Sequence, residues 1–304
     1  MNPNRRAGGD MRKTTQLKEL ILAPEILVMP GAHDALVARI IEQMGFQAVT
    51  LGGYPATASL LGKPDVSLLT MTEMVEYTRR ICGAVDIPVF TDGDTGYGNV
   101  TNVYRTVREM EQAGVAGMFI EDQVFPKRCG HMEGKQVISI EEMVAKIKAA
   151  LDARVDPDFI IMARTDALAV YGIEEAIHRG SIYRETGADL IFVEAPKTIE
   201  EMKRINREID GPTLANNIEG GKTPLLTAKE LELIGYNVVV FPISSTYCIA
   251  KAVMDLMKEL KERGTTESFL DRMIPFSHFN ELVGLQDIRK KEEEYYLKGI
   301  IGSF

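Results

Sequence analysis

Two stretches of the sequence place acidic residues at the ends of apolar runs. The stretch "TDGDTGYG" puts Asp92 and Asp94 two residues apart, and the run "GMFIEDQ" ends with Glu121 and Asp122. If the strand persists, alternate residues point to one face, and the glycines that follow let the chain turn away. Two neighbouring carboxylates repel each other unless a cation lies between them, and oxygen ligands suit Mg2+ or Mn2+. The pattern indicates a divalent metal site, to which Asp65 and Glu121 could add carboxylates.

Other interpretations of these letters stay open. Asp94 could instead cap a turn, and Asp92 could cap the next helix. The run "DGDTG" also resembles the DxDxT pattern of phosphatases, which normally lies on the first strand of a doubly wound sheet; here two strand–helix units precede it. The stretch "EGGKTP" resembles half of a phosphate-binding loop, but Asn216 stands where the first glycine would be. Because Pro224 would obstruct the following helix, we expect no nucleotide site there.

A cysteine lies among basic residues in the stretch "KRCGH". The neighbouring Lys127, Arg128 and His131 would stabilise a thiolate at Cys129. Such a thiol can act as a nucleophile or as a proton donor and acceptor. His131 could equally hold the loop in place or contact a substrate carboxylate.

Composition excludes several classes of function. Among 304 residues, 45% are apolar and 26% are charged, which is ordinary for a globular protein. The net charge of −9 argues against nonspecific binding to nucleic acid or to an anionic membrane. The longest apolar runs fall far short of the roughly 20 residues of a spanning helix. Three widely spaced cysteines, of which Cys82 and Cys248 are expected in the core, favour a reducing cytoplasm.

Eight apolar runs alternate with segments of helical period. The runs begin at Ile26, Ala48, Pro88, Gly117, Phe159, Leu190, Pro212 and Val238. Segments between them, such as "SIEEMVAKIKAALDA" and "TIEEMKRINREI", open with Ser or Thr at a plausible N-cap. Repeated βα units of this number predict an α/β fold, a (β/α)8 TIM barrel, with a doubly wound sheet as the alternative.

Polar residues follow almost every predicted strand. They are Gly52, Gly53, Asp92, Asp94, Glu121, Asp122, Arg164, Asp166, Glu194, Asn216 and Asn217. The carboxyl ends of all strands of a parallel barrel face one way, so we expect these residues to converge on a single mouth.

Segments at both ends of the chain lie outside the eight predicted βα units. We expect one domain over residues 1–304, with a loose arm over 1–16 and helices over about 245–304. Surplus helices usually pack on another subunit or cap one end, so they predict an oligomer.

Five motifs, in order and at matching intervals, make the chain resemble the isocitrate lyase and phosphoenolpyruvate mutase superfamily. They are "TDGDTGYG", "EDQVFPKRCGHMEGK", "IMARTDAL", "FVEAP" and "NNIEGGKTP". The resemblance runs from about Pro30 to Ala252, and the cysteine of its loop marks the members that cleave C–C bonds. It implies a helix-swapped homotetramer and a small 2-hydroxy di- or tricarboxylate substrate.

The resemblance also implies roles for individual residues. Mg2+ or Mn2+ would be held by Asp65, Asp92, Asp94 and Glu121. Cys129, Arg164 and His131 would be catalytic, with the thiol of Cys129 protonating the departing fragment. The substrate would contact Gly52, Gly53, Tyr54, Lys127, Arg128, Gly130, Glu194, Asn216 and Ile218.

Two departures from family members that cleave 2-methylisocitrate bear on the substrate. Ile218 stands where those enzymes have a Thr that helps to bind an extra carboxylate, and a buried Ile cannot donate a hydrogen bond. The resemblance therefore implies cleavage of 2,3-dimethylmalate to pyruvate and propionate, with 2-methylisocitrate cleavage and oxaloacetate hydrolysis or decarboxylation as alternatives. Thr50 replaces a Tyr of those enzymes, which leaves the base that deprotonates the hydroxyl unassigned. An inactive barrel that serves as a scaffold is the non-enzymatic alternative.

Overall fold

The chain divides into two compact units. The computed structural model describes residues 11–128, 130 and 134–301. The first unit is Met1–Thr246 and the second is Tyr247–Phe304. The eight strands found among the described residues all belong to the first unit.

The strands form a parallel series. They are β1 (Leu27–Pro30), β2 (Val49–Leu51), β3 (Val89–Asp92), β4 (Gly117–Glu121), β5 (Ile160–Thr165), β6 (Leu190–Val193), β7 (Leu214–Asn216) and β8 (Val238–Phe241). Strands β2 to β6 pair in chain order, and β8 pairs with both β7 and β1. Single parallel bridges, Gly31 with Thr50 and Ile191 with Thr213, connect the remaining neighbours. The eight strands therefore follow one another in a closed order, and the predicted barrel is confirmed.

The strands are buried on both faces. Every residue of β4 and β5 is buried, as is typical of parallel strands covered by helices outside and side chains inside. Alternation along β4 divides the core: Phe119 belongs to the inner cluster, whereas Met118 and Ile120 pack outward with the helices.

Helices alternate with the strands of the first unit. They are α1 (Lys13–Leu22), α2 (Ala35–Gln43), α3 (Gly53–Leu61), α4 (Met71–Ala84), α5 (Val100–Gln112), α6 (Ile140–Ala153), α7 (Ala167–Tyr171), α8 (Ile173–Thr186), α9 (Ile199–Glu208) and α10 (Ala228–Ile234). The Ser139 side chain accepts a hydrogen bond from the Glu142 main chain at the start of α6, and Thr198 and Glu201 form a capping box at the start of α9. These contacts satisfy main-chain donors that the first helical turn leaves without partners, which explains the Ser and Thr signals in the sequence.

The predicted loose arm over residues 1–16 is contradicted at its C-terminal end. Of residues 1–16, the first ten lie outside the described residues, but α1 already begins at Lys13. Leu17 and Ile21 are buried in the inner cluster of the barrel, and the Thr14 hydroxyl donates to Asp156 at 2.7 Å. Apolar side chains one helical turn apart hold this segment to the barrel, so the arm prediction is wrong from residue 13 onward.

The second unit is helical. From residue 244 onward the helices are α11 (Ser244–Arg263), a 3-10 helix (Glu267–Arg272), α12 (Phe276–Leu282) and α13 (Leu285–Ile301). None of the residues of α11 is buried, so the prediction that Cys248 lies in the core is wrong, whereas Cys82 is buried as predicted. Large apolar side chains such as Met254, Phe276 and Tyr296 are mostly exposed. No helix of the described residues combines the length and the apolar character needed to cross a bilayer.

Candidate active site

Four acidic side chains meet at the carboxyl ends of β3 and β4. Asp92 and Glu121 are the last residues of those strands, Asp94 follows in the next turn, and Asp65 lies in the loop between α3 and α4. Their exposed fractions range from 0% for Glu121 to 8% for Asp94. The predicted set of four acids is therefore brought together and withdrawn from water.

A tight turn after β3 aims Asp94 at its neighbours. Asp94 has a φ of 49°, and its main-chain N–H donates to Asp92 Oδ1 at 2.8 Å. The Asp94 carbonyl accepts from the Glu121 N–H at 2.9 Å, which links the turn to β4. A Cβ at Gly93 would lie 2.6 Å from the carbonyl oxygen of Phe119. Only glycine fits there, which accounts for the "DGD" order in the sequence.

The start of α3 closes one side of the acid cluster. The Gly53 N–H donates to Asp92 Oδ2 at 2.9 Å. A Cβ at Gly53 would lie 3.0 Å from that oxygen and 3.3 Å from Lys127 Nζ. Gly52 is the N-cap of α3, and Tyr54 is half-buried in the first turn.

The Lys127 ammonium lies among the acids. Its Nζ is 2.6 Å from Asp65 Oδ2 and 2.8 Å from Asp94 Oδ1, and the residue is 3% exposed. Burial disfavours its charged form, but Asp94, Asp92, Glu121 and Asp65 together raise the pKa of Lys127 well above its ordinary value. Sequence reasoning assigned this lysine to the substrate, whereas the structure pairs it with two of the predicted metal ligands.

One ammonium leaves the cluster with surplus negative charge. Burial, with the charges of Asp92 and Asp65 acting in the same direction and Lys127 opposing, raises the pKa of Asp94 to about 6. Burial likewise raises the pKa of Glu121 well above its usual range. Both carboxylate oxygens of Glu121 are buried without a hydrogen bond to the described residues.

The donor set suits a hard divalent cation. All four predicted ligands offer carboxylate oxygens, the chemistry that Mg2+ and Mn2+ prefer. Within the described part of the chain, no three His, Cys, Asp or Glu side chains stand close enough together to hold a metal as they are. Mg2+ usually keeps several waters and takes only one or two carboxylates directly, so the residues present fit it without a closed cage of protein ligands.

Arg164, on β5, provides a second cationic group beside the acids. Its Nε lies 3.3 Å from Glu121 Oε2, and its Nη2 lies 3.6 Å from Glu194 Oε2. The guanidinium carbon is 5.2 Å from the ring centroid of Phe192 and 5.9 Å from that of Phe119. These rings, both in the inner cluster, form an apolar support that orients the planar group.

Asp166 and Lys135 complete the surroundings of Arg164; the sequence predicted Asp166 at the mouth without giving it a role, and it assigned nothing to Lys135. Asp166 accepts from Arg164 Nε at 2.9 Å and from Nη2 at 3.1 Å. Lys135 Nζ donates to Asp166 Oδ1 at 2.6 Å and to the Gly130 carbonyl at 2.5 Å. Although burial disfavours a charged guanidinium, Asp166, Glu121 and Glu194 raise the pKa of Arg164 well above its ordinary value, so it stays cationic.

Asp122 does not converge on the mouth as predicted. Its Oδ2 accepts from Thr165 at 2.7 Å, from Tyr183 at 2.9 Å and from Arg179 at 3.2 Å. Consecutive residues at a strand end point to opposite faces, so Glu121 faces the mouth and Asp122 faces α8. Asn217 also turns away, because its amide donates to the Leu226 carbonyl at 2.6 Å.

The predicted catalytic loop begins and ends on a short two-stranded stem. Gln123 forms an antiparallel bridge with Val137. The Gln123 amide donates to the Arg128 carbonyl at 2.8 Å and accepts from the Arg128 N–H at 3.0 Å, and Ser67 Oγ accepts from the Lys127 N–H at 2.9 Å. Cys129 and His131, predicted as catalytic, lie outside the described residues.

Of the three remaining predicted contacts, Gly130 lies beside Arg164 and Asn216 lies beside Glu194. A Cβ at Gly130 would lie 2.4 Å from Glu194 Oε1 and 2.5 Å from Arg164 Nη2, so the loop main chain touches this pair. The Asn216 amide donates to Glu194 Oε2 at 3.4 Å. Ile218 is half-buried in the loop after β7, where its carbonyl accepts from Gly221.

The arrangement joins two chemical capacities in one place. A buried acid cluster that needs a cation adjoins a guanidinium that can bind a carboxylate through two parallel hydrogen bonds. A small acid with an oxygen next to its carboxylate could bridge the two groups, which suits reactions that place negative charge on that oxygen.

Comparison with known proteins gives a consistent result. The family model described as Phosphoenolpyruvate phosphomutase matches residues 17–261. The chain is 54% identical over 285 residues to 2,3-dimethylmalate lyase of Eubacterium barkeri, with 94% of this chain and 99% of that protein covered. It is 47% identical to the petal death protein of Dianthus caryophyllus, covering 93% and 89%. It is 44% identical to a 2-methylisocitrate lyase of Aeropyrum pernix, covering 91% and 89%.

Solved structures of related enzymes also match most of the chain. A crystal structure of a 2,3-dimethylmalate lyase matches with a TM-score of 0.89 at 32% identity, covering 94% of this chain and 96% of that chain. A phosphonopyruvate hydrolase in complex with oxalate and Mg++ matches with a TM-score of 0.85 at 30% identity, covering 94% and 100%.

Proposed function

The chain belongs to the isocitrate lyase and phosphoenolpyruvate mutase superfamily, and from that premise we propose that it is a carbon–carbon lyase that cleaves 2,3-dimethylmalate to pyruvate and propionate. The observation that carries the proposal is the contact of Arg164 Nε with Glu121 Oε2 at 3.3 Å, which joins a carboxylate-binding group to the acid cluster. The 54% identity to a 2,3-dimethylmalate lyase supports the choice of substrate.

Mg2+, or Mn2+, is the cofactor of the proposed reaction. Asp65, Asp92, Asp94 and Glu121 would hold the ion directly or through water, and when bound it supplies positive charge that stabilises the substrate oxygen on which negative charge develops. The oxygen-only donors and the surplus negative charge of the cluster support this assignment. So does the relative described with oxalate and Mg++.

The residues of this chain bind the substrate and transfer one proton to it. Arg164 offers its guanidinium to a substrate carboxylate, and the rings beneath it keep water from that side. The substrate hydroxyl loses its proton to solvent, the bond between C2 and C3 breaks, and the electron pair moves onto the departing fragment; after the next step solvent returns a proton to the Cys129 thiolate. Cys129 gives a proton to C3 of that fragment, which leaves as propionate, and the other product is pyruvate. We assign His131, Lys127 and Arg128 to the positioning of the substrate, and no residue to the deprotonation.

Ile218 favours an alkylmalate over a tricarboxylate. An additional carboxylate beside this side chain would lose its water without gaining a donor, whereas a methyl group would lose nothing. The second candidate is 2-methylisocitrate, which a relative of 44% identity is named for cleaving. Hydrolysis or decarboxylation of oxaloacetate is a third, because the same cluster could bind that acid.

We also propose a homotetramer in the cytoplasm. Mostly exposed apolar side chains in the second unit, such as Met254 and Phe276, support contacts with other copies of the chain, because apolar surface of this extent normally marks an interface. Three widely spaced cysteines favour a reducing compartment.

Steady-state kinetics on the purified protein with Mg2+ tests the proposal. We expect 2,3-dimethylmalate to give the highest kcat/KM, and pyruvate and propionate to form in equal amounts. Faster cleavage of 2-methylisocitrate would move the assignment to the second candidate. A protein that binds Mg2+ but turns over neither acid, nor oxaloacetate, would support the inactive scaffold instead.

A further inference from the structure

Lys135 is a buried cation that none of the proposed chemical steps uses. Its side chain is 1% exposed. A buried ammonium is costly unless it is paired, so its partners show what it holds. Those partners are the Asp166 carboxylate at 2.6 Å and the Gly130 carbonyl at 2.5 Å.

Asp166 shares its carboxylate between two cations. Lys135 Nζ donates to Oδ1. Arg164 donates to both oxygens, from Nε to Oδ2 at 2.9 Å and from Nη2 to Oδ1 at 3.1 Å. The Asp166 main chain is fixed as well, because its N–H donates to Asp122 Oδ1 at 2.9 Å. Asp122 is in turn held by Tyr183 and by other donors on its opposite oxygen. The carboxylate therefore forms a rigid base under the guanidinium.

The charges around Arg164 explain why a second cation is needed. Glu121 and Glu194 also face the guanidinium, at 3.3 and 3.6 Å, so three carboxylates surround one cation. With all three acids ionised, as they would be with a cation bound beside Glu121, the group of three acids and two cations has a net charge of −1. Without Lys135 it has a net charge of −2, and an anionic substrate would enter a more repulsive site.

The loop main chain meets Arg164 from the other side. A Cβ at Gly130 would lie 2.5 Å from Arg164 Nη2, so this peptide rests directly on the guanidinium. Its carbonyl is the one that Lys135 holds. One ammonium thus fixes both the carboxylate that orients Arg164 and the main chain next to Cys129.

We infer that Lys135 is a positioning residue for carboxylate binding: through Asp166 and the Gly130 carbonyl it sets the orientation and the effective charge of Arg164. The inference rests on the proposed function, since it takes the ligand of Arg164 to be a substrate carboxylate. In metal sites, removing a residue that hydrogen-bonds to a ligand typically lowers metal affinity or activity by about 10- to 100-fold. We expect the same range here.

The test is the calorimetric affinity for oxalate, a small dicarboxylate, in the presence of Mg2+. Lys135→Met should weaken oxalate binding by about 10- to 100-fold and raise KM more than it lowers kcat. Lys135→Arg, which keeps the charge, should recover part of the affinity. Lys13→Met is the matched control, because Lys13 also donates to a main-chain carbonyl, that of Val85 at 2.7 Å, at the start of α1. It should bind oxalate as the parent does.

A double-mutant cycle with Asp166→Asn separates a positioning role from general loss of structure. If Lys135 acts through Asp166, the second substitution adds little to the first, and the two effects on oxalate affinity are not additive. Thermal unfolding shows whether each variant folds. If Lys135→Met does not, Lys135→Gln, which keeps a donor without the charge, takes its place.

The outcomes separate the role of Lys135 from the proposed function. Oxalate affinity unchanged in folded Lys135→Met, or fully additive effects in the cycle, would overturn the role of Lys135 and leave the proposed function standing. A parent protein that binds no oxalate with Mg2+ present would overturn the proposed function, and the role of Lys135 with it.

Discussion

Lys127 and Asp65 form an ion pair that is buried at the mouth of the barrel, with 2.6 Å between Nζ and Oδ2 and side-chain exposures of 3% and 7%. The two residues come from different loops and lie 62 positions apart in the chain. The same ammonium also reaches Asp94 at 2.8 Å. It therefore partly balances a cluster that carries more acids than cations.

Removing this ammonium should destabilise the metal-free protein. Lys127→Met leaves buried carboxylates without their counter-charge, and the loss of one partner from a buried pair costs about 3–5 kcal/mol. We expect a loss of that order in the free energy of unfolding when a chelator is present, and partial recovery with Mg2+. Urea denaturation under both conditions measures it.

Lys146→Met is the control for that experiment. Lys146 is also buried, but its ammonium donates to the Thr95 carbonyl at 3.1 Å and lies 4.0 Å from Glu142. Its loss should not be recovered by Mg2+. Equal recovery in both variants would show that the ion does not act at the Lys127 cluster.

Glu121→Gln should weaken Mg2+ binding while the fold persists. The substitution removes one negative charge from a carboxylate that has no hydrogen bond to the described residues, and it turns the 3.3 Å ion pair with Arg164 into a contact with a neutral amide of the same shape. We expect Mg2+ affinity to fall by at least about tenfold and cleavage to fall with it. Calorimetric titration with Mg2+ is the measurement. Asp86→Asn, an exposed acid before β3, should bind Mg2+ unchanged.

The sequence predicted the strands and the positions of Asp92, Asp94 and Glu121 because these depend on local pattern, whereas Asp65 lies in a loop between helices and has no such pattern. Runs that are apolar at consecutive positions can be satisfied only when both faces are buried, and acids at their ends fall at one edge of a parallel barrel. The sequence could not predict that Asp122 faces α8. The strand-end pattern does not show where a strand ends, and therefore does not show which of two consecutive acids faces the mouth and which faces a helix. The bond from Lys135 to Asp166 spans 31 positions between two motifs, and no spacing rule connects them.

The segment before β1 shows the same limit. Residues 13–16 carry charges and threonines that suggest a loose arm, but Leu17 and Ile21 next to them fill the inner cluster. That contact depends on the finished barrel, so a short window of sequence does not reveal it.

Gly130→Ala should impair activity through steric contact alone. A Cβ there would lie 2.4 Å from Glu194 Oε1 and 2.5 Å from Arg164 Nη2, so the loop or the pair must shift. A displacement of about 1 Å at such a site can cost about 100-fold in rate. We expect kcat/KM to fall by about that factor. Gly83→Ala is the control, because no atom lies within 4 Å of its added Cβ; it should leave kcat/KM unchanged. Similar losses in both variants would contradict the steric account.

Cys129→Ser should separate metal binding from proton transfer. The thiol is assigned to the departing fragment and not to the ion, so Mg2+ affinity should stay as in the parent while cleavage falls by about 100-fold or more. Titration with Mg2+ and steady-state kinetics measure the two quantities. Cys248→Ser, at an exposed position of α11, should change neither. Full turnover in Cys129→Ser would refute the assigned role.

Ile218→Thr should shift the preference towards 2-methylisocitrate. The substitution adds a hydroxyl donor in the loop after β7 and makes the side chain one heavy atom smaller, and an extra carboxylate that would otherwise lack a partner could accept from the hydroxyl. A hydrogen bond to a charged group contributes about 1.5–3 kcal/mol, so the ratio of kcat/KM for 2-methylisocitrate to that for 2,3-dimethylmalate should rise about tenfold or more. Ile218→Val removes one methylene without adding a donor and should leave the ratio close to that of the parent. If both variants change the ratio alike, the space at this position and not the hydroxyl decides the substrate.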